Sequence, residues 1–171
     1  MATTTHVPLE LYLRSAYSPD AEYMDGEVRE RPVGEDSHSA WQLAICNWFL
    51  KNQSAWKILI RPELRVQVNL LNFLVADVAI LDASLPRERF ATHPPVAVFE
   101  VLSPENSMRE MMRKFELYRA MGIPQIWLID PEDPNQIWHR FTESGLIQGT
   151  EFSHPPLGIH FEMQEIGRLV V

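Results

Sequence analysis

Two acidic residues lie in stretches that otherwise have the composition of buried β-strands. Glu100 lies in the apolar run 95–104, and Asp77 lies in a second apolar run, 73–81. Ionised carboxylates are seldom buried unless a metal ion or another charged group compensates them. Acids on neighbouring strands can meet at one point, where they suit a hard divalent cation that prefers oxygen ligands. The alternative, which these runs leave open, is that each acid faces solvent at a strand end.

A metal ion between Asp77 and Glu100 would indicate a hydrolytic reaction. Such an ion can polarise a phosphoryl oxygen and lower the pKa of a bound water, so that hydroxide forms near neutral pH. An ammonium group near the same water would stabilise the hydroxide and the charge that grows on phosphate. The pattern therefore favours hydrolysis of a phosphodiester.

The hydrophobic pattern predicts the elements that must position these acids. Apolar residues recur at helical spacing over residues 37–51 and 108–121. Because the second helix would join two extended segments, those segments should be parallel neighbours in a mixed sheet. The predicted extended segments are 58–68, 74–81, 96–102 and 126–130.

Shorter elements are predicted towards both ends of the chain. Residues 7–17 fit either a strand or a short helix. Asp25-Gly26 is a strong turn signal, and it predicts an N-terminal β-hairpin appended to the sheet. A further hairpin is predicted over residues 136–150, and residues 160–171 are predicted to add one extended segment.

Length and composition favour a single domain over residues 1–171 that needs no disulfide. The one cysteine, Cys46, lies in an apolar helical pattern, which favours a core position. The net charge of −8 argues against a protein that binds nucleic acid through a broad basic surface. It does not exclude an enzyme in which a metal ion supplies the positive charge. Since the sequence has neither a leader pattern nor a membrane-spanning apolar run, we expect a cytoplasmic location without membrane contact.

The chain resembles the PD-(D/E)XK nuclease superfamily, which has a restriction-endonuclease-like α/β fold with a mixed central sheet flanked by helices. More closely, it is similar to a family of candidate restriction endonucleases of unknown function. The resemblance covers about residues 22–131. It rests on Tyr-Met-Asp-Gly-Glu at 23–27, His38 at a helix start, Ala-Asp-Val at 76–78, Val-Phe-Glu-Val-Leu-Ser-Pro at 98–104, Lys-Phe-Glu-Leu-Tyr at 114–118 and Gly-Ile-Pro-Gln-Ile-Trp-Leu-Ile-Asp-Pro at 122–131.

This resemblance implies an endonuclease that hydrolyses DNA phosphodiester bonds. It implies that Asp77 and Glu100 bind the metal, with the backbone carbonyl of Val101 as an additional ligand. Mg²⁺ or Mn²⁺ would be the cofactor, and DNA would be the substrate. A homodimer would suit cleavage of both strands of a symmetric site.

The chain departs from the superfamily pattern at three positions. Ala76 replaces a proline whose role is to set backbone shape. Leu102 replaces the usual lysine two residues after the second acid, and the resemblance assigns the role of that lysine to Lys114 on the following helix. Met111 stands where an arginine is usual, and a neighbour could compensate, either Arg109 or Arg113.

Other residues are candidates for accessory roles, and each has a simpler explanation. Glu27 could be a third acid near the metal or a surface residue beside a turn. His38 could reach the active cleft, but an exposed histidine near a helix start is the more common arrangement. Glu110 precedes Lys114 by one helical turn, and such a pair stabilises a helix by ~0.2–0.5 kcal/mol without any catalytic role.

Other functions stay open. A catalytically weakened module could keep the nuclease fold and bind nucleic acid or protein. A metal-dependent hydrolase of small phosphoesters would use the same residues.

Overall fold

A long antiparallel hairpin, made of β3 (Ile58–Asn69) and β4 (Asn72–Asp82), forms the centre of the protein. The computed structural model describes residues 6–171. The helices are α1 (Leu9–Arg14), α2 (Asp36–Trp56), α3 (Met108–Met121) and α4 (Gln164–Gly167). The other strands are β1 (Glu22–Met24), β2 (Glu27–Arg29), β5 (Ala97–Val101), β6 (Gln125–Ile129), β7 (Trp138–Thr142), β8 (Gly145–Gln148), β9 (Glu151–His154) and β10 (Ile159–Glu162).

The main sheet has the strand order β2-β1-β4-β5-β6-β7-β8, and β3 pairs with β4 as well. Strands β5 and β6 are parallel, with Ala97 opposite Gln125, while the other pairs in this sheet are antiparallel. Helix α3 connects the parallel pair, as the crossover rule requires. The predicted mixed sheet with flanking helices is therefore confirmed.

A helix packs on each face of the sheet. On one face, Phe49 of α2 is fully buried, and its ring centroid lies 5.5 Å from that of Phe99 in β5. On the other face, Phe115 and Tyr118 of α3 are fully buried in a cluster that includes Val98 of the same strand. Strand β5 is covered on both sides, which explains why its sequence is almost entirely apolar.

The N-terminal segment contains a helix, which decides between the two alternatives for residues 7–17. Tyr12 of α1 is fully buried, and its ring stacks on Tyr23 of β1 at a centroid distance of 5.0 Å. The predicted hairpin of β1 and β2 is present, and Asp25 and Gly26 form its turn with φ values of 53° and 89°. Positive φ at both turn residues is what such a tight hairpin requires.

The C-terminal prediction is wrong in part. Residues 160–171 do not form one extended segment, because β10 ends at Glu162 and the helix α4 follows. Strand β10 pairs with β9 in a separate two-stranded sheet. Burial explains the change, since Ile166 of α4 is fully buried in the same core as α2.

Helix α2 is longer than the sequence pattern predicts. It continues past Lys51 to Trp56 and stops where Lys57 adopts a left-handed conformation with φ of 53°. The extra turn is held by packing, because the rings of Trp56 and Phe161 stack at 5.7 Å. Over residues 6–171, no helix combines the length and apolar character needed to cross a bilayer.

Substitution of Phe49 by alanine should lower the free energy of unfolding by about 3–5 kcal/mol, because it leaves a cavity in a fully packed aromatic cluster. Leu43→Ala is a matched control on the same helix, since Leu43 is 66% exposed, and it should change that free energy by less than about 0.5 kcal/mol. Urea unfolding followed by circular dichroism measures both. Equal losses would contradict the assignment of the buried face of α2.

Candidate active site

A gap between two neighbours of β4 creates the candidate site. Strands β1 and β5 lie on the same edge of β4, since β3 occupies the other edge along its length. Strand β1 pairs with β4 at Phe73, and β5 pairs with it from Val78 onward. In the described part of the chain, residues 74–77 therefore have no partner strand on that edge, and side chains must satisfy their backbone groups.

Val75 shows how the gap is filled. Its backbone N–H donates to Oε1 of Glu22 at 3.0 Å, and its carbonyl accepts from Nζ of Lys114 at 2.7 Å. Glu22 comes from β1 and Lys114 comes from α3. Charged groups thus replace the missing strand, which brings a buried ammonium and a buried carboxylate beside the centre of β4.

Asp77 and Glu100 lie on adjacent strands at this gap. Val78 pairs with Phe99, so continuing the same antiparallel register by one residue places Asp77 opposite Glu100. The residues are 3% and 2% exposed, respectively, and both line a cavity of about 450 Å³. Val101 lines it too. The two strands therefore bring these acids to one place, as we expected from the sequence.

Asp77 is surrounded by donors. Its Oδ1 binds the guanidinium of Arg31 at 2.5 Å, and its Oδ2 binds Nε2 of His38 at 3.1 Å and the backbone N–H of Val101 at 2.8 Å. Burial would raise the pKa of Asp77, but the hydrogen bond from His38 and the charges of Arg31 and Lys114 outweigh it and lower that pKa. Asp77 is therefore a stable carboxylate.

Glu100 is held by groups from α3. Its Oε1 lies 2.9 Å from Nζ of Lys114 and accepts a hydrogen bond from the hydroxyl of Tyr118 at 2.8 Å. Burial raises the pKa of Glu100 above its usual range, and the negative charges of Asp77 and Glu22 add to this shift, whereas the Lys114 ammonium 2.9 Å away opposes it and favours the ionised form. Both contacts use Oε1, so Oε2 remains for a further ligand.

The ammonium group of Lys114 connects β1 with β5, because it pairs with an acid from each strand. Nζ lies 2.6 Å from Glu22 and 2.9 Å from Glu100, and the residue is 7% exposed. Burial alone would lower the pKa of Lys114, but these two carboxylates raise it to about 12, so the side chain is charged. Leu102, at the position of the usual lysine, instead packs in the apolar cluster on the α3 face.

His38 does not lie where the sequence led us to expect it. Rather than being exposed, its side chain is 14% exposed and contacts Asp77. The hydrogen bond to Asp77 raises the pKa of His38, although burial opposes the shift. One turn further along α2, Gln42 donates to the backbone carbonyl of Asp77 at 2.8 Å, so this face of the helix lies against β4 at Asp77. This contact has no signature in the local sequence.

The other accessory candidates lie at the rim of the cavity. Glu27 and Glu110 both line it, but neither forms an ion pair with Lys114 or Arg31 in the described part of the chain. Glu27 pairs with Arg29 at 3.8 Å. Neither arginine suggested as a replacement for the one missing at Met111 lines the cavity. One of them, Arg113, pairs with Asp25 of the hairpin turn.

Sequence reasoning missed Glu22, Arg31, Gln42 and Glu63. Glu22 could have been noticed because it begins a short strand that is otherwise apolar. Asp77 and Glu100 drew attention for the same reason, since both lie in apolar runs. Arg31 and Glu63 form an ion pair, and Gln42 donates to Oε1 of Glu63 at 2.7 Å and to the carbonyl of Asp77 at 2.8 Å. These partners are far apart in sequence, and no local pattern connects them.

The donor set fits a small hard cation. Asp77, Glu100 and the Val101 carbonyl offer oxygen ligands, and Mg²⁺ commonly binds through one or two carboxylates while keeping waters or substrate oxygens. Among residues 6–171, however, no group of three or more histidine, cysteine or acidic side chains is arranged to enclose a metal. A cation bound by Asp77 and Glu100 would therefore take its remaining ligands from water or from a substrate.

Structural comparison gives the fold. A crystal structure described as a "putative nuclease belonging to DUF820", from Anabaena variabilis, matches with a TM-score of 0.79 and 19% sequence identity over 96% of this chain and 99% of that one. A cryo-electron microscopy structure of a DrdV–DNA complex matches with a TM-score of 0.42 and 12% identity over 77% of this chain and 10% of that one. The second likeness is too weak to carry an argument.

Sequence comparison gives the family. No curated protein shows significant similarity to the chain. The profile of a family named Uma2 and described as "Putative restriction endonuclease" matches residues 9–164, which include every residue of the candidate site. The chain therefore belongs to the Uma2 family of restriction-endonuclease-like proteins.

Proposed function

We propose that this protein is a divalent-metal-dependent endonuclease that hydrolyses DNA phosphodiester bonds. The observation that carries the proposal is the convergence of Asp77 and Glu100, from adjacent strands, on one cavity with the buried ammonium of Lys114 2.9 Å from Glu100. Family membership supports a nuclease. Asp77, Glu100 and the Val101 carbonyl would hold Mg²⁺ or Mn²⁺, which when bound supplies an acidified water and polarises the phosphate.

Lys114 is suited to stabilising negative charge at this site. It is fixed by contacts with Glu22, Glu100 and the carbonyl of Val75, which account for the three donors of an ammonium. One of these contacts must lengthen before Nζ can bind a phosphate oxygen. Glu100 is the partner whose charge would be shared with a metal, so its contact with Lys114 is the one that we expect to weaken.

The charge around the cavity favours a requirement for metal. A polyanion is repelled by carboxylates, and this repulsion acts most strongly where the site is little exposed to solvent. The acids around the cavity outnumber the fixed cations, which are Arg29, Arg31 and Lys114. The acids are Glu22, Glu27, Glu30, Asp77, Glu100, Glu105 and Glu110.

A second candidate function has one observation in its favour. Both oxygens of Asp77 already have protein donors, so the site could serve as a charged structural centre of a catalytically weakened binding module. Hydrolysis of a small phosphoester would use the same groups as DNA cleavage. Single-domain organisation, a homodimer and a cytoplasmic location stay predictions from the sequence.

Asp77→Asn and Glu100→Gln should each abolish Mn²⁺ binding, because each substitution removes a ligand charge while it preserves side-chain volume. Cleavage of plasmid DNA should be lost in parallel, with an unchanged circular dichroism spectrum. Isothermal titration calorimetry measures the binding. Asp82→Asn is the matched control on the same strand, since Asp82 binds Ser84 and not the cavity. Wild-type affinity in either site variant would remove that acid from the metal site.

Lys114→Met should reduce the rate of DNA cleavage by about 10²-fold, the scale for loss of one charge-stabilising group, while Mn²⁺ binding persists. Cleavage of a small diester such as bis(4-nitrophenyl) phosphate, assayed beside DNA, separates the nuclease from a small-phosphoester hydrolase. Arg119→Met is a control on the same helix, because Arg119 pairs with exposed Glu143 outside the cavity. An unchanged rate in Lys114→Met would favour the weakened-module alternative.

Lys114→Met should also lower the free energy of unfolding by about 3–5 kcal/mol, because it leaves the buried carboxylates of Glu22 and Glu100 without their counter-ion. This cost is a consequence of burial, which the position of Lys114 on an amphipathic helix does not by itself show. Adding Glu100→Gln to Lys114→Met should recover part of the loss. Additive losses in a urea double-mutant cycle would contradict a direct interaction between the two side chains.

A further inference from the structure

Arg31 contacts the one oxygen of the Asp77 carboxylate that has no other donor among residues 6–171. Its guanidinium contacts Oδ1 of Asp77 at 2.5 Å and also pairs with Glu63. The Arg31 side chain is 12% exposed and lines the cavity. A divalent cation bound to Asp77 would therefore meet a resident positive charge, and close like charges repel strongly where water is scarce.

Among residues 6–171, only one donor to the Asp77 carboxylate lies outside regular secondary structure. The Val101 N–H belongs to strand β5, and His38 lies in the first turns of helix α2. Arg31, in contrast, lies in the segment that joins β2 to α2. Its second partner, Glu63, has a side chain that is 42% exposed, so Arg31 is held by two side-chain ion pairs, one of which is open to solvent.

We propose that Arg31 is the counter-ion of Asp77 in the metal-free protein, and that metal binding displaces its guanidinium onto a phosphate of the nucleic-acid substrate. A guanidinium suits both positions, because its fork of donors binds a carboxylate or a phosphate in the same bidentate manner. Arg31 would then lower the affinity for metal when DNA is absent and raise the affinity for DNA when metal is present. This inference rests on the proposed metal-dependent nuclease.

The displacement predicts opposite effects of one substitution on two ligands. Arg31→Met should lower the dissociation constant for Mn²⁺ by about tenfold, because the competing cation is removed and more of the protein is competent to bind. The same variant should bind a short DNA duplex about tenfold more weakly, because a charge-assisted contact to phosphate is lost. Calorimetry with MnCl₂ gives the first value, and fluorescence anisotropy of a labelled duplex in CaCl₂ gives the second.

Arg29→Met is the matched control, because Arg29 lines the same cavity but pairs with Glu27 and not with Asp77. Its Mn²⁺ affinity should stay within about twofold of wild type, since only the distant field of one charge changes. If Arg29→Met tightens Mn²⁺ binding as much as Arg31→Met does, general charge and not displacement is responsible, and the proposal is overturned. Unchanged or weaker Mn²⁺ binding in folded Arg31→Met also overturns it.

Glu63→Gln provides a test that leaves Arg31 and Asp77 intact, in case Arg31→Met does not fold. Loss of the Glu63 charge frees Arg31 from its second partner, so Mn²⁺ should bind more tightly while DNA affinity is retained. Failure of both effects overturns the displacement. The proposed nuclease site fails separately, if Asp77→Asn binds Mn²⁺ as well as wild type does.

Discussion

The interruption along one edge of β4 is the constraint on which the candidate site depends. A strand in the middle of a sheet must have its backbone groups paired, and here the pairing passes from β1 to β5 with an unpaired stretch between them. Glu22 and Lys114 provide the missing hydrogen bonds to Val75. The same interruption that demands these charged side chains also opens the cavity onto which Asp77 and Glu100 face.

Buried charges at this gap are tolerated because they compensate one another. An isolated carboxylate in this environment would cost several kcal/mol, whereas a paired and hydrogen-bonded one costs far less. Lys114 neutralises Glu100 from one helix, and Arg31 neutralises Asp77 from a loop on the other side. The buried acids Glu22, Asp77 and Glu100 are thus compensated by two cations, because Lys114 pairs with Glu22 as well. In the proposed nuclease, a metal ion would compete with these internal partners, and catalysis would be coupled to their movement.

The crossover helix α3 and the N-terminal hairpin explain how segments that are distant in sequence reach one site. Helix α3 crosses between the parallel strands β5 and β6, so a lysine near its middle returns to the centre of the sheet. The N-terminal hairpin reaches the same place from the opposite end of the chain, anchored by Tyr12 on Tyr23. Loss of the contact between Tyr12 and Tyr23 would therefore disturb the site, although neither residue is one of its acids.

The amino-acid sequence by itself determined the mixed sheet, both long helices and the two central acids, because these depend on local patterns. Apolar runs interrupted by Asp77 and Glu100 carry their own signal, and Lys114 was identified through the resemblance of the chain to a nuclease family. Tertiary structure alone decided which charges meet them. Glu22, Arg31 and His38 reach the site from three separate segments, and the inward turn of His38 follows from how α2 packs. Contacts between residues distant in sequence depend on the path of the whole chain, and no short pattern records them.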